Sequence, residues 1–221
     1  MSSLKSDRSK VRRLPSRGHY DRETIYSILD SGFLCHVSFS IEGEGPQIIP
    51  TAFGRKGDVL YLHGSSKSRM MRHLADGNPA AICVTHLDAL VLARSTFHSS
   101  MNYRAAVIFG EGKEISDPEA KMNALEVITD HIIPGRWDET RQPNNNELKA
   151  TTVIAFKIEE GSAKVRTGPP GDNAEDYNLD IWAGILPLVQ QYGPAIDDPK
   201  LREGIPQPGS VIKAKFGARE P

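Results

Sequence analysis

The 221-residue chain has only two cysteines, Cys35 and Cys83, and both sit inside apolar runs. That rules out a disulfide framework and points to buried thiols in a reducing compartment. No apolar run approaches the roughly 20 residues of a membrane span, so no membrane partner is expected. The opening stretch, MSSLKSDRSKVRRLPSR, is basic but lacks the apolar segment of a secretory signal; the expected location is the cytoplasm. Charge of one sign is also missing. With 27 Lys and Arg against 28 Asp and Glu, the formal net charge is -1, which argues against nucleic acid as a partner. GxxxxGK[ST], HExxH and GxSxG do not occur, and no GxGxxG follows a strand. Triphosphate-binding, Rossmann, zinc-hydrolase and nucleophile-elbow chemistry therefore fall away, and Asp130, His131 and nearby serines form no hydrolytic triad.

What is present is an ordinary globular composition, 38% hydrophobic and 25% charged. Residues 1–20 read as a basic arm without periodicity. Its Lys5, Arg8, Lys10, Arg12, Arg13 and Arg17 either contact phosphates or belong to a tail lying on its own domain or a partner. Asp21 caps a short helix with Ile25, Ile28 and Leu29 on one face. Strand patterns follow: FLCHVSFSI and PQIIPTAF around a turn at Glu42–Gly45, then VLYLHG. A helix is expected over Ser66–Asp76, starting at Ser65 or Ser66 and stopped by Gly77-Asn78-Pro79. Two strands, AAICVTHL and ALVLARS, precede NYRAAVIFGEGKEI, and a second helix begins at Pro118. TTVIAFKIEEGSAKVRTG reads as one last strand. Beyond it the chain is rich in loops, with a short apolar helix or turn at LDIWAGILPLV. Six or more strands, mostly joined by short turns, fit a mainly β fold: an antiparallel barrel with flanking helices. The expected division is arm 1–20, barrel 21–170, and a loop-rich segment 171–221 with a short helix, packed on the barrel or a partner.

The segment His63-Gly64-Ser65-Ser66-Lys67-Ser68-Arg69 has the ingredients of an anion site. A strand delivers the chain to small residues where a helix begins, and amides at a helix start are unpaired donors. Serine hydroxyls, the Lys67 ammonium and the Arg69 guanidinium add to them. The same residues also serve as ordinary helix caps and a solvated face.

Five stretches in order, RRLPSRGHYDRETIYSILD, GPQIIPTAFGRKGDVLYLHGSSKSRMMRHL, LDALVLARSTFHSSMNYRAAVIFGEG, SAKVRTGPP and WAGILPL, resemble the pyridoxamine 5'-phosphate oxidase-like FMN-binding split barrels. They stand nearest the nitroimidazole-resistance branch. The resemblance implies a homodimer with flavin mononucleotide (FMN) at its interface. Ile49, Pro50, Thr51 and Ala52 would then line the isoalloxazine edge. His63, Gly64 and Ser65 would lie near the ring or ribityl chain, and Lys67, Ser68 and Arg69 would hold the phosphate. The block Ser99, Ser100, Met101, Asn102, Tyr103 and Arg104 would approach the flavin from around the dimer interface. The Arg- and His-bearing C-terminal substrate region of true pyridoxamine phosphate oxidases is missing, and Trp182 stands in its place.

His63 is the candidate for substrate or flavin contact, against a strand histidine satisfied by a backbone group. Trp182 either stacks on a ring or only packs. Arg94 and Arg104 are interface or flavin groups, or partners of Asp58 or Asp88. His36, His86 and His98 leave haem as a minor alternative, while no metal-binding spacing occurs. The resemblance implies an FMN-dependent oxidoreductase passing electrons between a reduced nicotinamide nucleotide and a small-molecule acceptor. The alternative is a non-catalytic flavin- or haem-binding carrier or sensor.

Overall fold

Alternation of side chains along a strand sends every second residue to the same face, and here that alternation builds a barrel. In the computed structural model, which describes residues 3–214, the strands are β1 (Gly18–His19), β2 (Leu34–Ile41), β3 (Gly45–Lys56), β4 (Val59–Ser65), β5 (Pro79–Leu92), β6 (Ser100–Glu114), β7 (Thr151–Lys157), β8 (Glu160–Arg166) and β9 (Gly184–Pro187). The helices are α1 (Arg22–Asp30), α2 (Arg69–Ala75), α3 (Pro118–Ile132), α4 (Asn145–Ala150) and α5 (Gly209–Ile212). Antiparallel pairing runs β2–β3–β4–β7–β6–β5 and back to β2, closing a six-stranded ring. Closure satisfies the edges that an open sheet would expose. Outside the ring, β8 and then β1 extend from β6, and β9 extends from the far end of β5.

The barrel interior is filled by Phe53, Leu60, Leu62, Ile82, Ile108 and Phe156, with Met71 and Leu74 of α2 and Ile28 and Leu29 of α1. A second, thinner layer lies outside, where Ala124 and Ile128 of α3 are buried over β3, β4 and β7. Gly54 makes that contact possible. A Cβ there would stand 2.7 Å from the Cα of Ile128 and 2.8 Å from the carbonyl of Val127.

Several sequence expectations change here. AAICVTHL and ALVLARS form one strand, β5, carrying a bulge at Asp88 where the register with β6 shifts. The bulge re-aims Asp88, whose carboxylate accepts from Nε and Nη2 of Arg104. TTVIAFKIEEGSAKVRTG is two strands, because the chain turns over at Ile158–Glu159 and pairs β7 and β8 with different lengths of β6. LDIWAGILPLV holds no helix: its centre is β9, laid along Ala89–Leu92. The helix of the phosphate segment starts at Arg69, with Ser68 as its cap. Cys35 is buried, its thiol pushed up to about 12 by that burial, but Cys83 is only half-buried.

The arm is held in place. Leu4 is buried, its amide donates to Tyr20 and its carbonyl accepts from Gly161. Glu160 accepts from Ser6 and, at 3.2 and 2.7 Å, from Arg8. Those bonds, Arg8 first and Ser6 second, hold the Glu160 carboxyl below its ordinary value of 4.5. Two tests follow from these contacts. Gly54→Ala should lower stability by roughly 1–3 kcal/mol, read as a reduced urea midpoint with unchanged slope. Because the Glu160 pKa is lowered on folding, its contribution to arm docking is complete above the ordinary carboxylate value and is lost as pH falls below it. Glu160→Gln should mimic that loss at neutral pH and speed tryptic cleavage after Arg12 and Arg13.

Candidate functional site

β3 and β4 are partners only from Phe53–Lys56 against Val59–Leu62. Beyond that the strands part: residues 45–52 of β3 stay on β2, while His63–Ser65 of β4 stay on β7. The main-chain groups facing the gap follow from hydrogen-bond alternation. The Phe53 amide donates to Phe33 across β2, so odd residues of β3 point to β2 and even ones to the gap. The Ser66 amide donates to Ala150 beside β7, so even residues of β4 point away from the gap and odd ones into it. Ala52 and Pro50 on one wall, and His63 on the other, therefore direct main-chain groups into an opening with no strand opposite them. Pro50 leaves no amide stranded there.

The phosphate segment closes the end of this split. The amides expected to cradle an anion are largely used: Ser66 donates to Ala150, Lys67 to the Ser65 hydroxyl at 3.2 Å, and Ser68 to the Ser65 carbonyl at 2.9 Å. The Ser68 hydroxyl accepts from Met71 at 3.5 Å. The side-chain donors left for an anion include the exposed Lys67 ammonium, the Arg69 guanidinium and the Ser66 hydroxyl. Arg69 reaches across to Glu44 at the β2–β3 turn, 2.5 Å away. Both side chains are more than half exposed, so the pair adds little stability and is replaceable. Glu44 escaped sequence reading because nothing local links a hairpin tip to a residue 25 positions later.

His63 sits opposite Val153 and on the same strand face as Tyr61, the face covered by α3. Burial pushes its pKa down, so the ring is neutral at pH 7. Its Nδ1 is enclosed and has no hydrogen-bond partner among the described residues. A buried ring nitrogen without a partner is costly and fits a site that a bound group completes.

The chain by itself does not bring the remaining candidates to the split. Ser100, Met101, Asn102, Tyr103 and Arg104 open β6 along the far end of β5, separated from β3 by β2 and β5. Asn102 is buried and joined to Arg166 and Gly168. Trp182 is 68% exposed and lies over Gly184 at the start of β9. His86 is engaged by the carbonyl of Ile28 at 2.9 Å, and His98 meets Phe97 edge-on. Among the described residues no three His, Cys, Asp or Glu side chains gather as a metal site. A large cavity, about 860 Å³ between α1 and α3, contains none of the sequence candidates. Within it Arg55 is bonded to Asp30 and stacked on Tyr26.

Asp172 is a residue that sequence reading missed. Its side chain is fully buried and accepts from the amides of Arg94 and Ser95 and from the Arg94 guanidinium. Burial alone would raise its pKa, but these donors outweigh it and hold the carboxyl below the usual aspartate value. Asp172→Ala should free the loop that leads into Ser99–Arg104. Faster deuterium exchange at the Ser95 and Phe97 amides, with the barrel unchanged, is the expected result.

The family model described as pyridoxamine 5'-phosphate oxidase matches residues 21–165. Among solved structures, the flavocytochrome Anf3 from Azotobacter vinelandii is 38% identical over 94% of this chain and 96% of its own, with a TM-score of 0.88. An FAD and heme binding protein from Mycobacterium smegmatis is 40% identical over 90% of this chain and 98% of its own, with a TM-score of 0.86. A putative 5-nitroimidazole antibiotic resistance protein from Bacteroides thetaiotaomicron shares the fold at 23% identity, covering 67% of this chain and 86% of its own, with a TM-score of 0.58. No curated protein matches the chain. Matched over residues 21–165, which hold most of its barrel, the chain belongs to the pyridoxamine 5'-phosphate oxidase family.

Proposed function

We propose that the protein binds a flavin nucleotide across the split between β3 and β4 and acts as an oxidoreductase, taking electrons from a reduced nicotinamide nucleotide and passing them to a small-molecule acceptor. The observation that carries this reading is the opening itself, with main-chain groups on its two walls that have no strand opposite them and available cations at its closed end. When bound, the flavin supplies the hydride or electron chemistry. The chain's own part is to hold and shield it. Ala52 and Pro50 offer main-chain contacts to a ring edge, and Lys67 and Arg69 neutralise phosphate, with Arg69 exchanging Glu44 for it. His63 remains neutral and presents an uncharged nitrogen.

The family expectation is FMN; the names of the two relatives at 38% and 40% identity bring FAD and haem into the same reading. The unpartnered Nδ1 of His63 suits a second cofactor as well as a flavin, which favours a flavin- and haem-binding carrier as the second reading. A homodimer supports both. Leu87, Leu90, Met101 and Leu186 expose an apolar ribbon that a second copy would cover, carrying Ser100–Arg104 toward the partner's split. Unpaired thiols fit the cytoplasm, and among the described residues no helix is long and apolar enough to cross a membrane.

The deciding measurement is the visible spectrum of the purified protein, with mass spectrometry of the released ligand. Flavin bands are expected, a Soret band would add haem, and a protein that takes up neither ligand sinks both readings. Lys67→Ala with Arg69→Ala should weaken flavin binding by about 1.5–3 kcal/mol for each charge-assisted phosphate bond removed, whereas Glu44→Gln should leave it intact or tighten it. Anaerobic bleaching by NADH or NADPH and reoxidation by an acceptor would identify an enzyme; absence of turnover would leave a carrier.

A further inference from the structure

The arm, which the flavin reading does not use, encloses a second concave site. Between it and the outer face of β6 and β8 lies a cavity of about 340 Å³. Its floor is Tyr103, Ala105, Val107 and Phe109, alternate residues of β6 that are each half-buried, while the intervening Ala106 and Ile108 point into the barrel. Its rim is cationic: Lys10, Arg12 and Arg13 from the arm and Lys164, which sits opposite Ala105 on β8. Arg8 is paired with Glu160, but none of the other four has a carboxylate within ion-pair distance among the described residues. Positive charge continues beyond the rim. Arg166, opposite Tyr103, has its pKa lowered, first by burial and then by neighbouring Arg17.

This concentration is not a by-product of a basic protein, since the formal net charge of the chain is -1. Uncompensated like charges gathered over an apolar floor repel one another unless an anion joins them. The backbone holds them there at a cost. Leu14, directly after Arg13 and before Pro15, has φ 53° and ψ 64°, left-handed values that a residue with a Cβ adopts rarely and that proline on its C-terminal side disfavours further. Such strain persists where surroundings fix it, and it concentrates at ligand clamps.

We propose that this pocket binds a phosphorylated nucleoside, with the ring system on the apolar face of β6 and the phosphates gripped by Lys10, Arg12, Arg13 and Lys164. The volume suits a nucleoside diphosphate, the floor offers flat apolar contact, and guanidinium forks match phosphate oxygens. A single concavity on a nearly neutral protein is a poor match for nucleic acid, which calls for an extended basic surface. The same chemistry has two sources, the ADP half of a nicotinamide nucleotide and the ADP half of FAD.

The test is calorimetric titration of the full chain with ADP and with pyrophosphate. The expected result is saturable, one-to-one ADP binding that is tighter than pyrophosphate binding. It should weaken about tenfold or more in Arg12→Ala/Arg13→Ala and in Lys164→Ala, with melting temperature and oligomeric state unchanged. It should survive Lys67→Ala/Arg69→Ala, so that failure of the flavin site and failure of this one are told apart. ADP binding to FMN-loaded but not FAD-loaded protein identifies the FAD adenylate as occupant. Binding to both, displaced by NADH or NADPH, identifies the nicotinamide nucleotide. The proposal is overturned by absence of saturable ADP binding, by equal affinity in the arm variants, or by equal affinity for ADP and pyrophosphate. It is equally overturned if the variants alter only oligomeric state or only retention on nucleic acid.

Discussion

β3 and β4 can part only because each keeps a second neighbour. Where the Phe53–Leu62 contact ends, β3 remains bonded to β2 and β4 to β7, so neither wall of the gap loses its ladder. The other site features hang on that divergence. It leaves main-chain groups of Pro50, Ala52 and His63 without a strand opposite, and it spaces the β2–β3 turn so that Glu44 meets Arg69. Closure of the ring on the opposite side, through β5 and β6, keeps the opening from spreading into an open sheet.

Much of the barrel is legible from alternation alone. β2, β3 and β4 carry clear period-two patterns with glycine at their turns, and their bounds fall within a few positions of those patterns. The misplacements have physical causes. The β7–β8 turn is Ile158–Glu159, without Gly or Pro, so it looks like continuous strand. The apolar run around Trp182 is stabilised as β9 by the edge of β5, a tertiary pairing that periodicity cannot show. The docking of the arm rests on one buried leucine, Leu4, and on a carboxylate that follows 154 residues after Ser6.

The site is legible in a different sense. Lys67 and Arg69 stand out through residue chemistry, although the helix begins later than expected and the amides of Ser66, Lys67 and Ser68 are already occupied. Glu44 and Asp172 are invisible in the sequence, because each acts on a residue distant along the chain through the tertiary fold. Ser100–Arg104 is recognised by resemblance, and the structure places it on the β5–β6 ribbon, separated from β3 by β2 and β5.

The anchoring of the arm also bears on how the protein is made. Ser6 is bonded to Glu160, 154 residues downstream. At roughly 5–20 residues per second, a ribosome needs on the order of 10–30 s to travel between them. During that interval the arm has emerged, but the strand that receives it does not yet exist. The arm, made well before β8, is therefore among the last elements to settle, and its cations stay uncovered until β8 leaves the exit tunnel.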